Sequence, residues 1–368
     1  MGPKKLIAGI VVLVALGAAY VGYAHWKQRH SDSRESLLNA LPTNASAIVY
    51  VDVAELRSSA LLQNAATWTA SATSEPEYKQ FVAETGFDYA KDLDRVGIAV
   101  RTDRDTKKYF ALADGNFDRK KIEAYLRKNG SANKKGTREV FLLASTNSDP
   151  SISTVQRWIS IAFLSDRRIA ITNSADLNSE IETASRDAGH QEWTERFVRL
   201  AGTPIFALFR QDAAIGGLVS ASAPGGLRSP QLAQLLNELL WISIAGKPEG
   251  NEFRAVVEGE CPDEASMRQL SEFLNGIALM ANAGLNDPKL RQQMDPGERE
   301  AYLQLVNSID VTRLDRGTSK SVRATFVVTP QIWENLAQAA TAKPAQEAAD
   351  PNTKAGSPRQ KKKNGGRE

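Results

Sequence analysis

The groups in this 368-residue chain that could do chemistry are three histidines, one cysteine and a scatter of carboxylates. His25 and His30 flank an apolar run, and His190 lies in the polar stretch Asp187-Ala-Gly-His-Gln. A transition metal needs several His or Cys side chains at ligand spacing, and none of these has such a neighbour. A Ser-His-Asp hydrolase would have to use His190, but no Gly-x-Ser-x-Gly elbow accompanies it. Ser131-Ala-Asn-Lys134, with Lys135-Gly-Thr137 after it, spells the Ser-x-x-Lys of penicillin-binding enzymes. There the serine opens a core helix, whereas here it follows a predicted helix stop in a polar turn.

The remaining candidates are weaker. Gly216-Gly217 and Gly225-Gly226 do not precede Lys-Ser/Thr and do not fit Gly-x-Gly-x-x-Gly. Asp92-Leu-Asp94 and Asp103-Arg-Asp105 fall in predicted turns and lack calcium-loop spacing. Asp52 and Glu55 follow a strand end, a frequent place for a site, although capping the next helix explains Asp52 equally well. Cys261 is the only cysteine, so no intramolecular disulfide is possible, and its setting between a strand and a helix start suits a structural thiol. The residues therefore predict no catalytic, cofactor-binding or metal-binding position.

The elements that would position such groups begin with Leu6–Trp26, which carries no charge. A helix of that length rises about 30 Å, the thickness of a bilayer core. Lys4 and Lys5 precede it, and Tyr20, Tyr23 and Trp26 crowd its far end, where aromatic rings favour the headgroup zone. The run predicts a single-pass signal anchor in contact with the lipid bilayer. The competing reading is a cleaved signal peptide, for which Gly17-Ala-Ala19 and Gly22-Tyr-Ala24 offer small residues. Lys and Arg are almost balanced on its two sides, so the short basic leader carries the expected orientation, N-terminus inside and globular part outside the cytoplasm, with the reverse topology as the alternative.

Hydrophobic residues make up 42% and charged residues 24% of the chain, ordinary values for a globular protein with a sizeable core. The net charge of +3 hides a division. Residues 1–34 carry +4, residues 339–368 carry +4, and the stretch between them carries −5. An acidic folded part argues against specific nucleic-acid binding.

Along the chain, residues 1–5 read as a basic leader, 6–26 as the anchor and 27–40 as a juxtamembrane linker. A first α+β lobe follows over 41–200, a second over 201–338, and a disordered basic tail over 339–368. Ala47–Val53 reads as a strand and Ala54–Thr69 as a helix. Ser74 and Glu77 make a capping box for a helix that Gly86 ends. Val96–Val100 and Tyr109–Ala113 form a hairpin feeding a helix from Asp118 to Asn129, with Gly130 as its stop. Glu139–Ala144, Trp158–Leu164 and Arg168–Thr172 read as strands, and Leu177–Ser185 and Glu192–Leu200 as helices.

The second half repeats this pattern. Thr203–Phe209 corresponds to Ala47–Val53, and the hairpin Ile242–Ala245 and Phe253–Val257 to Val96–Ala113. Glu258-Gly259 stands where Asp114-Gly115 stood, and a helix from Asp263 follows, with Met267, Leu270, Leu274 and Ile277 at helical spacing. Val311–Val328 reads as a third, weaker copy of the hairpin, with Thr329-Pro330 opening a helix. The pattern predicts an internal duplication of an antiparallel sheet-and-helix unit. Ala99 and Ala245 are expected at matching positions, and Gly115 and Gly259 in one type of turn with positive φ. Ser229-Pro230 starts a helix whose Leu232, Leu235, Leu236, Leu239 and Leu240 form either a core-facing stripe or a groove for a protein, peptide or lipid partner.

The stretch Leu41-Pro-Thr-Asn-Ala-Ser-Ala-Ile-Val-Tyr-Val-Asp-Val-Ala-Glu-Leu-Arg-Ser-Ser-Ala-Leu-Leu62 resembles the start of uncharacterised bacterial membrane-anchored proteins. Their folded part often begins with Leu-Pro, a strand, Asp and a helix. The likeness spans about twenty residues. It implies an extracytoplasmic location at the bacterial inner membrane, no known activity and no functional residue. The expected function is a membrane-tethered extracytoplasmic binding or assembly module without catalysis. The alternative is an anchored hydrolase with its site between the two lobes.

Overall fold

The computed structural model describes residues 34–59, 76–103, 106–135, 138–144, 158–186, 190–211, 230–336 and 338. The anchor Leu6–Trp26, the tail 340–368, the Ser74 cap and the run 213–226 lie outside the described residues. Among the described residues, no helix is long and apolar enough to cross a membrane.

Alternating β-branched and aromatic residues lay down the strands β1 (Ala47–Asp52), β2 (Leu93–Asp103), β3 (Thr106–Gly115), β4 (Ser131–Lys135), β5 (Arg138–Ala144), β6 (Trp158–Ser165) and β7 (Arg168–Thr172). The second half supplies β8 (Ile205–Arg210), β9 (Trp241–Glu249), β10 (Glu252–Cys261), β11 (Asp310–Asp315) and β12 (Lys320–Val328). All join one sheet in the order β11-β12-β10-β9-β8-β1-β2-β3-β7-β6-β5-β4. Every neighbouring pair is antiparallel. The halves expected as two lobes thus meet along β1 and β8 within a continuous sheet.

Helices cover both sides. Residues 34–39 (α1), Leu177–Arg186 (α6) and His190–Arg199 (α7) lie on the front. Their Leu37, Leu38, Leu177 and Trp193 pack with Tyr50, Leu112, Ala170, Phe206, Leu208 and Trp241 of the strands. Val53–Ser58 (α2) and Tyr89–Asp92 (α4) are short turns beside β1 and β2. On the back, Pro76–Thr85 (α3) and Arg119–Asn129 (α5) flank an apolar cluster of Ile122, Leu126, Phe141, Phe163 and Ile169. Behind the other half lie Pro230–Glu238 (α8) and Glu264–Leu285 (α9), burying Leu235, Leu239, Met267 and Leu270 against Ile242 and Val322. Pro288–Gln293 (α10), Pro296–Asn307 (α11) and residues 330–336 (α12) complete the described helices.

Several expectations change. The linker expected at 27–40 ends inside the fold, because α1 buries Leu37 and Leu38 completely or nearly so. Ser131–Lys135 is an edge strand paired with β5, where a polar turn was expected. The helix expected from Asp263 is present as α9 and runs on beyond Ile277 to Leu285. The hairpin β11–β12 is not a third copy of β2–β3. It lies beside β10 as β6–β7 lies beside β3.

The glycine expectation also changes. Gly115 and Gly259 have no positive φ, whereas Gly250 in the two-residue β9–β10 turn has φ +64°. Gly115 and Gly259 are needed for space instead. A Cβ on Gly115 would stand 2.6 Å from the Asp92 carbonyl oxygen, and one on Gly259 would stand 2.7 Å from Leu239 Cδ1. Ala99 faces Phe110, four residues before Asp114, while Ala245 faces Val256, two before Glu258. With Asp114 matched to Glu258, Ala245 therefore matches Gly97, not Ala99.

Candidate ligand pocket

The end of β1 brings the first charged groups together. Asp52 stays extended and caps α2, its Oδ1 accepting from the Glu55 N–H at 2.9 Å. Its Oδ2 accepts from Arg95 Nε at 2.9 Å and from the Tyr50 hydroxyl at 3.2 Å. Register extends this pairing across the front of the sheet. Asp52 faces Arg95, Arg95 faces Asp114, and Asp114 faces Arg168. Arg168 holds Asp114 with two parallel bonds of 2.6 and 2.8 Å. Alternating charges on four adjacent strands satisfy one another where isolated ions would be costly to bury.

The other half carries a related arrangement. Glu258 on β10 faces Arg323 on β12 and accepts bonds from it, from Arg316 and from Ser321. Burial alone would raise the Glu258 carboxyl, but those donors outweigh it and hold it at about 2. Glu260 binds Arg196 at 2.5 Å and Arg199 at 3.0 Å, both from α7. The Arg196 guanidinium lies 3.9 Å from the Trp241 ring centre.

Beside Asp52 a cavity of about 540 Å³ opens between α1, the start of α2, the α7 end and the β8 entry. Leu38, Phe197, Val198 and Pro204 form apolar walls, and Arg34, Glu35, Asp52 and Glu55 bring charge to it. Arg34 donates to the Leu200 carbonyl at 2.8 Å and lies over Tyr50 and Phe206, 5.1 and 5.4 Å from their ring centres. Burial lowers the pKa of Arg34, partly offset by Tyr50, Asp52 and Glu55. Burial, with the Asp52 charge adding to it, raises Glu55. Burial first and Asp52 second push the Tyr50 hydroxyl upward.

The positions singled out in the sequence scatter. Asp52 and Glu55 meet at the cavity. Asp94 pairs with Arg167 at 2.8 Å, and Arg104 and Asp105 lie outside the described residues. Among the described residues no group of three or more His, Cys, Asp or Glu could hold a metal. Ser131 and Lys134 are exposed on the edge strand β4 rather than opening a core helix. Cys261 is buried, and burial with Asp263 nearby pushes its thiol up to about 11. Leu235 and Leu239 face the core, while Leu240 remains 41% exposed.

Arg34, Arg95 and Arg168 were not found by sequence reasoning. Arg95 lies 43 residues from its partner and Arg168 lies 54 from its own, so no local spacing signals them.

No family model matches the chain, and no curated protein matches it. Several solved chains are similar, among them crystal forms of TP0453. Crystal form I of TP0453 aligns at TM-score 0.41 with 9% identity, covering 83% of this chain and 96% of that one. Crystal form III aligns at TM-score 0.42 with 9% identity, covering 83% and 97%. This chain belongs to the class of mixed folds in which helices pack on both faces of an antiparallel sheet.

Proposed function

We propose that this protein is a membrane-tethered binding module that faces outside the cytoplasm at the bacterial inner membrane, and that its ligand enters the cavity beside Asp52. The cavity of about 540 Å³ carries this reading, since pockets of that size take small organic molecules. Its wall α1 begins eight residues after the apolar run Leu6–Trp26 ends, so the anchor would hold the pocket close to the bilayer. Asp52 accepts three donors, a state that suits an architectural carboxylate better than a free general base. The halves would descend from a duplicated unit, with Asp114–Arg168 and Glu258–Arg323 as matching pairs.

The test has two parts. Full-length protein should stay with membranes through alkaline carbonate washing, and release of a form beginning near Tyr20 or His25 would identify a signal peptide instead. Purified protein should bind the neutral dye Nile red, and Thr194→Trp on α7, which fills the cavity, should abolish binding. Undiminished dye binding by that variant would sink the pocket reading.

One observation favours a second reading, an anchored hydrolase. Glu55 is held above the ordinary carboxylate range beside the ionisable Asp52, as in acid–base pairs. Turnover of ester or glycoside substrates that Glu55→Gln eliminates would establish it.

A further inference from the structure

Resting on the pocket reading, the charges around the cavity narrow the ligand. Asp52 is engaged by Arg95, Tyr50 and the Glu55 N–H, so it has little left to offer. Arg34 and Glu55 differ from it. Arg34 gives one bond to a backbone carbonyl, and among the described residues no carboxylate reaches ion-pair distance. The Glu55 carboxylate likewise has no ion-pair or hydrogen-bond partner among the described residues; its backbone alone is engaged, the N–H by Asp52 and the carbonyl by the Ser58 hydroxyl. The two opposite charges come from different elements, α1 and α2, and both border the cavity.

We propose that the cavity binds a dipeptide-sized zwitterion with apolar side chains, its carboxylate pairing with Arg34, its amine with Glu55 and its body lying against Leu38, Phe197 and Pro204. Each ion would gain a directly bonded charged partner that the described residues do not supply, and charge-assisted bonds of this kind are strong and directional. The burial that lowers Arg34 and raises Glu55 points the same way, because each ion has lost solvation that the opposite charges nearby only partly replace. The cavity of about 540 Å³ accommodates a peptide of two residues, and the two acyl chains of a phospholipid would overfill it.

Calorimetric titration with leucyl-leucine, its N-acetyl form and its C-terminal amide tests this. Leucyl-leucine should bind, and blocking either end should weaken binding about 10-fold or more. Glu55→Gln should erase the difference made by acetylation, and Arg34→Gln the difference made by amidation, while Arg34→Lys restores part of it. Melting curves show that each variant is folded. Equal affinity for the three peptides, absence of peptide binding, or tighter binding of dihexanoyl phosphatidylethanolamine would overturn the proposal. If Nile red still binds and Thr194→Trp still blocks it, such a result removes the zwitterion and leaves the pocket standing.

Discussion

Tyr50 on β1 lies directly opposite Phe206 on β8, with their rings stacked at a centroid distance of 5.2 Å. Outward from this pair, the register reaches Asp52, Arg95 and Asp114 on one side. On the other it reaches Leu208, Ser243 and Glu258. If Asp114 and Glu258 are counterparts, Tyr50 and Phe206 are counterparts too, and the pseudo-two-fold axis passes between their rings. The central contact of the sheet is then an aromatic pair on its own symmetry axis.

That pair should show coupling. Tyr50→Leu and Phe206→Leu should each destabilise the fold by about 2 kcal/mol, with an interaction energy of roughly 1 kcal/mol in the double mutant. Tyr50→Phe should lose only about 1 kcal/mol, the hydroxyl bond to Asp52. Denaturant melts of the wild type and the four variants check this, and strict additivity would count against the stacking.

The two matched glycines should respond unequally to alanine. Gly115→Ala drives a methyl into the Asp92 carbonyl, which the backbone cannot easily move, and should cost about 2 kcal/mol or more. Gly259→Ala meets the end of the Leu239 side chain, which can rotate, and should cost about 1 kcal/mol. Urea midpoints give the ranking, and the reverse order would contradict the packing described here.

Acid should find Glu258. Its folded value of about 2 lies below the ordinary 4.5, so its stabilisation is complete above pH 4.5 and is lost as the pH falls toward 2. The melting temperature should therefore drop through that window. Glu258→Gln should lower stability by about 2 kcal/mol at neutral pH, leaving Arg316 and Arg323 short of an anion, and should flatten the acid limb. A variant whose acid limb matches the wild type would show that other carboxylates govern it.

Much of the fold was legible in local pattern. The strand at Ala47, the hairpin before Asp118, and the caps Asp118 and Asp263 are all present, because alternation and capping act within a few residues. Ser131–Lys135 escaped because an edge strand that packs little needs no apolar alternation. The burial of α1 escaped because it depends on Tyr50 and Phe206 being brought beneath it by strands far along the chain.

The candidate site divides in the same way. Asp52 and Glu55 were visible as a strand end followed by a helix start, a purely local signal. Arg34 had no such signal, since its place over Tyr50 and Phe206 exists only once β1 and β8 pair across more than 150 residues. The sequence by itself determined most of the strands and capped helices, which short-range periodicity and capping set. Tertiary structure alone decided that the halves share one sheet, which side chains neutralise one another and where a cavity remains. Those outcomes depend on register and packing between distant segments, which no local pattern encodes.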